Sequence, residues 1–405
     1  MQPQQCAPRG LTSGRGQKSE QIDASPAIAA LHNAYFCGSM QLDDLTLINF
    51  KNYEEASLEL DPRINIFTGL NGQGKTNILD AVHYLSACKS YFNPIDSQNI
   101  RHGEDFFVLE GHFSNGSGSD KVYCGVKKGQ KKVFRKNKED YERLADHIGR
   151  FPAVVISPYD KDLISEGSEL RRKFMDSIIS QYNKPYLDHL IAYNKVLKQR
   201  NSLLKYFWEN RCFDAEQLEV WDLQMASLGQ SIHSERSQFA EGFQPLFQSH
   251  YAAISGGQES VELLYRSDFS DGNFAERLRD SLEKDRRTQF SQVGIHKDDL
   301  KFGIGGHPLK KFGSQGQQKT YLIALKLAQF DLIHEGTGRK PLLMLDDIFD
   351  KIDDERVAHL MQLVKEGRFG QIFITDTHSG RVKDIFEQSG QKAKLFTVSK
   401  GHVQP

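Results

Sequence analysis

The rhythm of apolar and polar positions changes along this chain, and the changes divide it. From Leu42 the pattern is period two: L-T-L-I-N-F and A-S-L-E-L read as short strands, and the apolar run I-N-I-F stops at Thr68-Gly69. After Gly74 the step becomes three and four, with Ile78, Leu79, Val82 and Leu85 on one side of a helix. Period two returns between Phe106 and Phe134, where F-F-V-L-E-G-H-F, K-V-Y-C-G-V and K-V-F-R are broken by Gly and Ser turns. That stretch predicts an antiparallel layer.

From about Glu169 to Tyr251 the apolar residues recur at helical steps: Leu190, Tyr193, Leu197 and Leu204, then Trp221, Met225, Leu228, Ile232 and Phe239. Two long amphipathic helices in an antiparallel arm follow, and their stripes read as core packing. From Ile295 strands, turns and helices alternate again, ending in L-L-M-L at 342 to 345 and Q-I-F-I-T at 371 to 375. The pattern is that of an α/β lobe interrupted by a helical insertion.

Residues 1 to 39 are rich in Gln, Ser, Ala and Gly and carry no periodicity, which suits a disordered tail or a start codon assigned too early. A signal peptide fits less well, because the apolar stretch Ala27 to Leu31 is short and follows Glu20 and Asp23 rather than a basic region.

Composition narrows the class. No uninterrupted apolar stretch approaches the roughly 20 residues of a membrane span. The 405 residues carry 52 basic and 53 acidic side chains, so any nucleic-acid contact must come from a local patch. Cys6, Cys37, Cys88, Cys124 and Cys212 are scattered and odd in number, which reads as free thiols in a reducing cytoplasm.

The candidate chemistry begins at Gly69-Leu-Asn71-Gly72-Gln-Gly74-Lys75-Thr76-Asn77, which fits G-x-x-x-x-G-K-[ST] between a buried strand and a helix. Such a loop curls backbone N–H groups round a β-phosphate at a helix amino end. Lys75 would reach the β- and γ-phosphates of ATP and Thr76 would place its hydroxyl on Mg²⁺. The strand L-L-M-L then delivers Asp346 and Asp347; a parallel strand beside the loop would aim Asp346 at the metal and Asp347 at the attacking water. More than half of the chain separates Lys75 from Asp346, which leaves room for the helical insertion. A third element, Ser314-Gln-Gly316-Gln317-Gln318, opens a strongly helical stretch, where a helix cap and an anion site are both open readings.

Phosphate loop, S-Q-G-Q-Q, L-L-M-L-D-D and then Asp350-Lys-Ile-Asp353 together resemble the heads of ABC-type ATPases of the SMC group. Within that group the finer similarity is to the RecF family. It rests on L-I-N-F-K-N-Y at 47 to 53, G-L-N-G-Q-G-K-T-N-I-L-D-A at 69 to 81, S-P-Y-D at 157 to 160 and R-R-K-F-M-D at 171 to 176. L-K-Q-R-N-S-L-L-K at 197 to 205, G-I-H-K-D-D-L at 294 to 300 and the helix before the acidic strand extend it over roughly residues 40 to 400.

The resemblance implies an ABC-type P-loop ATPase head, formed by 40 to 165 and 290 to 405, with an antiparallel β layer and an inserted helical second lobe at 166 to 289. It also implies a nucleotide site of Gly69, Asn71, Gly72, Gly74, Lys75, Thr76 and Asn77, completed by Ser314, Gly316 and Gln317 of a second copy. Lys75, Asp347 and His378 would be the catalytic residues, and Thr76 and Asp346 would hold the metal. His378 has two readings, a γ-phosphate sensor and an ordinary loop histidine. No glutamine stands out for the metal-contacting loop of this superfamily, and Asp160 is the nearest candidate. Departures from the family pattern are Lys51 where Arg is usual, G-I-H-K-D-D where the family reads G-P-H-R-D-D, and Thr375-Asp-Thr-His378 after the last apolar run.

Lys127, Lys128, Lys131, Lys132, Arg135, Lys136 and Lys138 crowd one hairpin. They read as a solvated turn or, given the resemblance, as a contact to DNA phosphates without sequence preference. The function implied is an ATP-dependent, DNA-binding homodimer of recombinational repair and replication. It would hydrolyse ATP slowly and assist RecA loading at gapped DNA together with RecO and RecR. The rival readings are an ABC subunit energising a membrane permease and a long SMC-like tether, for which the arm is too short.

Overall fold

A computed structural model describes residues 40–116, 118–257, 259–270, 273–349, 354–377, 380, 384–386 and 390–405. The expectations for residues 1 to 39, for Asp350 to Asp353 and for His378 lie outside these. Among the described residues Cys88, Cys124 and Cys212 are free thiols, and no helix is long and apolar enough to cross a membrane.

The centre is a parallel sheet of β14 (Lys394–Ser399), β3 (Ile64–Thr68), β13 (Ile372–Asp376), β12 (Leu342–Asp346) and β8 (Ala153–Ile156), in that order, with β15 (His402–Gln404) antiparallel on the β14 edge. Strands β3, β8, β12 and β13 are buried at every position, as parallel strands covered on both faces must be. Their alternation splits the core into two. Phe67, Val155, Met344 and Phe373 face one cluster, and Ile66, Val154, Leu343 and Ile374 face the other.

The first cluster is closed by α1 (Lys75–Ala87) and by a second, antiparallel sheet. That sheet runs β2 (Tyr53–Glu59), β1 (Gln41–Phe50), β4 (Phe106–Ser114), β5 (Ser119–Lys127), β6 (Val133–Lys136), β7 (Glu139–Asp140). Its inward residues, among them Leu45, Leu47, Phe107, Leu109 and Val122, pack on Ile78, Val82 and Leu85, the stripe that the three-and-four spacing predicts.

The second cluster holds α2 (Ser168–Tyr182), α3 (Lys184–Glu209), α4 (Ala215–Ser255) and α6 (Gln315–Thr337), with α7 (Asp354–Lys365) alongside. The long helices are antiparallel: Tyr186 on α3 meets Arg236 on α4, whereas Arg200, farther along α3, meets Asp222, earlier on α4. Tyr193, Leu204, Met225, Ile232 and Phe239 are buried, while Leu190, Leu197, Trp221 and Leu228 are half-buried at the flanks of the same stripes. At its far end α4 returns to the head, where Phe247 packs 4.5 Å from the Tyr321 ring of α6.

Among the described residues of 166 to 289 the helices are interrupted by loops and by β9 (Val261–Arg266), whose V-E-L-L-Y-R pattern alternates buried and exposed positions. It pairs with β10 (Asp299–Ile304), which in turn pairs with β11 (His307–Pro308). After β9 comes α5 (Phe274–Thr288). The G-I-H-K-D-D segment ties α4, β9 and α2 to the start of β10. Arg236 donates to the Ile295 carbonyl at 2.8 Å and to Asp298 at 2.7 Å, Tyr265 donates to Asp298 at 2.6 Å, and Arg171 of α2 grips Asp299 at 2.8 and 3.2 Å.

Candidate nucleotide-binding site

The carboxyl ends of β3, β13 and β12 converge on one place. Between β3 and α1 the chain turns through Gly69, Gly72 and Gly74, all at positive φ. Two of these positions have no room for a side chain. A Cβ on Gly69 would lie 2.2 Å from the Val398 carbonyl oxygen, and one on Gly74 would lie 2.5 Å from the Asn52 amide. Asn71 and Gly72 form the exposed tip.

The loop is braced from two sides. Asn52 donates to the Gln73 carbonyl at 2.8 Å and Tyr53 to the Gly74 carbonyl at 3.1 Å. Asn77 donates back to Asn52 at 2.7 Å, so its amide serves the brace. From the β14–β15 turn, the Lys400 N–H donates to the Gln73 side chain at 2.6 Å. Lys75, 6% exposed, directs its ammonium over the loop, donating to the Gly69 and Leu70 carbonyls at 2.6 and 3.0 Å.

Thr76 opens α1 and donates its hydroxyl proton to Asp346 Oδ1 at 2.8 Å; Thr375, on the strand between, donates to the same oxygen at 2.8 Å. Burial pushes the Asp346 carboxyl above the ordinary carboxylate range; the two threonine hydrogen bonds pull it down, and the Asp347 charge adds to the rise. Asp347 stands in the left-handed region at φ 49, held there by the N–H it donates to the Thr375 hydroxyl at 2.9 Å. Its Oδ1 is buried and accepts no hydrogen bond. An all-oxygen set of one hydroxyl and one carboxylate, beside a second carboxylate with an unmet oxygen, suits a hard divalent cation such as Mg²⁺.

Ser314 is elsewhere, exposed at the amino end of α6. It forms a capping box, its hydroxyl accepting from the Gln317 N–H at 3.2 Å while its own N–H donates to the Gln317 side chain at 2.7 Å. Gln317 also donates to Glu259 at 2.6 Å, and the Gly316 carbonyl accepts from Arg356 at 2.9 Å. The structure thus brings Lys75, Thr76, Asp346 and Asp347 together in one chain and leaves Ser314, Gly316 and Gln317 on a separate, outward helix end.

Asp160 follows β8 and is fully engaged. It takes the Ser157 N–H at 2.7 Å, the Tyr91 hydroxyl at 2.7 Å and the Lys326 ammonium at 2.8 Å. Lys51 reaches the buried Asp80 of α1 at 2.6 Å, and Ser90 and the Tyr91 N–H complete that carboxylate. Of the basic hairpin, Lys127, Lys128, Lys131 and Lys138 are exposed. Lys128 pairs with Asp105, Arg135 with Asp140 and Lys136 with Asp120. Lys132 turns inward to Asp96 at 2.8 Å and the Cys88 carbonyl at 2.7 Å.

Sequence reasoning missed Thr375, Gln73, Tyr91 and the β14–β15 turn. A hydroxyl at the carboxyl end of an apolar run was a usable signal for Thr375; nothing in V-S-K-G-H marks a brace for a distant loop.

Comparison with known proteins gives the family and the fold. The family described as RecF/RecN/SMC N terminal domain matches residues 41–403. The DNA replication and repair protein RecF of Flavobacterium johnsoniae is 49% identical over 359 residues, covering 89% of this chain and 100% of the relative. That of Phocaeicola vulgatus is 51% identical over 366 residues, covering 90% and 98%. The recombination mediator protein RecF solved with ATP, of the RecFOR pathway, superposes with a TM-score of 0.82 at 31% identity, covering 90% of this chain and 97% of that one. The Smc head domain of Pyrococcus furiosus shares the fold at a TM-score of 0.52 and 16% identity, over 90% and 95% of the two chains. None of these relatives is a transporter subunit, so the permease reading has no support. By sequence match across nearly its whole described length, the chain belongs to the RecF family of DNA replication and repair proteins.

Proposed function

We propose that the chain binds ATP and Mg²⁺ and dimerises head to head around two nucleotides on gapped DNA. ATP hydrolysis is slow and acts as a switch, and the dimer assists RecA loading with RecO and RecR in the cytoplasm. The ATPase lobe is 40 to 165 with 290 to 405, and 166 to 289 is the arm. The observation that supports this reading is the Thr76–Asp346 hydrogen bond beside the unmet Asp347 oxygen, an all-oxygen set next to the Gly69–Thr76 loop.

Loop N–H groups and the α1 amino end hold the phosphates, and the Lys75 ammonium neutralises the β- and γ-oxygens. Thr76 and Asp346 would hold Mg²⁺, which when bound supplies charge neutralisation of the terminal phosphates. Asp347 orients a water and takes its proton. Ser314, at the amino end of a 23-residue helix, presents a hydroxyl and helix-end N–H groups to the nucleotide of the second copy. Lys127 and Lys131 contact the DNA backbone.

Size-exclusion chromatography with ATP, ADP or neither, with and without gapped DNA, tests the reading. A dimer that forms with ATP, dissociates with ADP and binds the gapped DNA is the expected result; a chain that stays monomeric with ATP on DNA contradicts it.

A further inference from the structure

Polar groups from separate elements are linked through Tyr91, by its hydroxyl on one side and its backbone N–H on the other. Lys326 and Asp160, each with a side chain 4% exposed, pair at 2.8 Å. Tyr91 joins them: its hydroxyl donates to Asp160 at 2.7 Å and accepts from Lys326 at 3.1 Å. Its backbone N–H donates to Asp80 at 2.7 Å, and Asp80 also takes Lys51 and Ser90.

The ends of this linkage matter. Asp80 lies one turn after Thr76 on α1, the helix of the phosphate loop. Asp160 follows β8, the strand paired with the one that ends in Asp346. Lys326 belongs to α6, the helix that Ser314 caps, and stands about 18 Å along it from that cap. The contacts therefore run from the helix that follows the phosphate loop to the helix that Ser314 caps.

A plain stabilising weld is the alternative, and two facts weigh against it. Desolvation offsets most of what a buried lysine–aspartate pair contributes, so apolar residues would serve stability at least as well. What the pair adds is direction. Helix α6 is buried at almost every position from Thr320 to Asp331, and polar ties fix its rotation: Thr320 accepts from Arg356, Tyr321 donates to the Glu262 carbonyl, Asp331 meets His250 and Arg368, and Lys326, with two oxygen partners, makes the tie that leads to Tyr91 and Asp160. The Tyr91 hydroxyl keeps its proton, because burial raises it well above the usual range and the Asp160 and Asp346 charges add to that, so it stays a donor to Asp160.

We propose that Lys326 is a positioning residue for nucleotide-dependent dimerisation: through Tyr91 and Asp160 it sets the Ser314 helix in register with the chain's own phosphate loop, so that two copies complete both nucleotide sites at once. This rests on the dimer reading above. Lys326→Met alone strands the Asp160 charge, so the informative variants are Lys326→Met with Asp160→Asn, which removes both charges, and Tyr91→Phe, which removes only the hydroxyl.

Sedimentation equilibrium of the full chain with ATP, run beside binding of a fluorescent ATP analogue, separates the outcomes. The double variant should bind nucleotide to within about twofold of wild type while its dimer constant weakens by roughly tenfold; Tyr91→Phe should weaken it in the same direction. Wild-type dimer affinity in either variant overturns the proposal, as does an equal loss of nucleotide affinity, which would confine the network to the chain's own loop. A wild-type chain that remains monomeric with ATP contradicts the dimer reading itself, visibly before any variant is compared, and the proposal falls with it.

Discussion

Thr76 and Asp346 are joined by a 2.8 Å hydrogen bond across 270 residues of sequence. They are not on neighbouring strands. Strand β13 lies between β3 and β12, and its Thr375 donates to the same carboxylate oxygen, so one acidic group ties the loop helix to two strand ends. The residue after it, Asp347, is pinned in a left-handed conformation by Thr375, and its Oδ1 is buried without a hydrogen-bond partner.

That placement separates two roles. Asp347→Asn keeps the shape and removes the charge that orients or deprotonates water, so ATP hydrolysis should fall by about 10²- to 10⁴-fold while ATP affinity changes little. Steady-state turnover and nucleotide titration of the same preparation check it. Unchanged turnover would put the catalytic carboxylate elsewhere.

The basic hairpin predicts a split among lysines that look alike in sequence. Lys127→Ala with Lys131→Ala should leave the melting temperature unchanged and weaken DNA binding whatever its sequence. The slope of log affinity against log salt should fall by about 0.9 for each DNA phosphate that is no longer neutralised. Lys132→Ala should instead destabilise the fold, because it removes the ion-pair partner of Asp96, which keeps only the Tyr84 hydroxyl, and the donor to the Cys88 carbonyl. Thermal melts and salt-series binding isotherms on the two variants would show whether the hairpin divides this way.

Acid sensitivity should trace in part to His147. It is fully buried, with Nε2 on the Leu85 carbonyl at 2.6 Å and Nδ1 on the Tyr141 hydroxyl at 3.0 Å, and burial lowers it to about 4 from 6.5. The folded chain keeps it neutral while the unfolded chain protonates it below pH 6.5. Its contribution is therefore complete above pH 6.5 and is lost as pH falls toward 4, about 2 kcal/mol of it by pH 5. Urea unfolding at pH 7 and pH 5 should show His147→Gln losing less stability than wild type over that interval by about this amount. Equal losses would rule out the assignment.

Much of the site was legible because its parts are local. The spacing of Gly69, Gly74, Lys75 and Thr76 and the position of Asp346 at the end of an apolar run each need only a few adjacent residues. What was not legible depends on distant partners. Lys326 lies in a strongly helical stretch whose sequence gives it no partner, yet α6 is enclosed on nearly all sides and the lysine meets Tyr91 across 235 residues. Lys132 reads as one more surface charge until Asp96 folds beneath it. Asp160, read as a metal-loop candidate, has its oxygens taken by Ser157, Tyr91 and Lys326, three partners that no spacing rule connects. Periodicity marked the strands round the loop, the antiparallel layer and the long helices, but not β8, β14 and β15 of the central sheet, nor β9, a six-residue strand that interrupts a helical stretch.

If each nucleotide site is built from two copies, with Lys75 from one and Ser314 from the other, two defective variants should rescue each other when mixed. Lys75→Ala loses the phosphate charge partner and Ser314→Arg blocks the second copy's contribution, so each alone should have almost no DNA-stimulated ATP hydrolysis. In a mixed dimer one site pairs an intact phosphate loop from the Ser314→Arg chain with an intact Ser314 from the Lys75→Ala chain. The mixture should therefore hydrolyse ATP well above the sum of the two separate rates, rising with the concentration of either chain. A mixture no more active than that sum, with both variants folded and the Ser314→Arg chain still binding ATP, would contradict a site shared between copies.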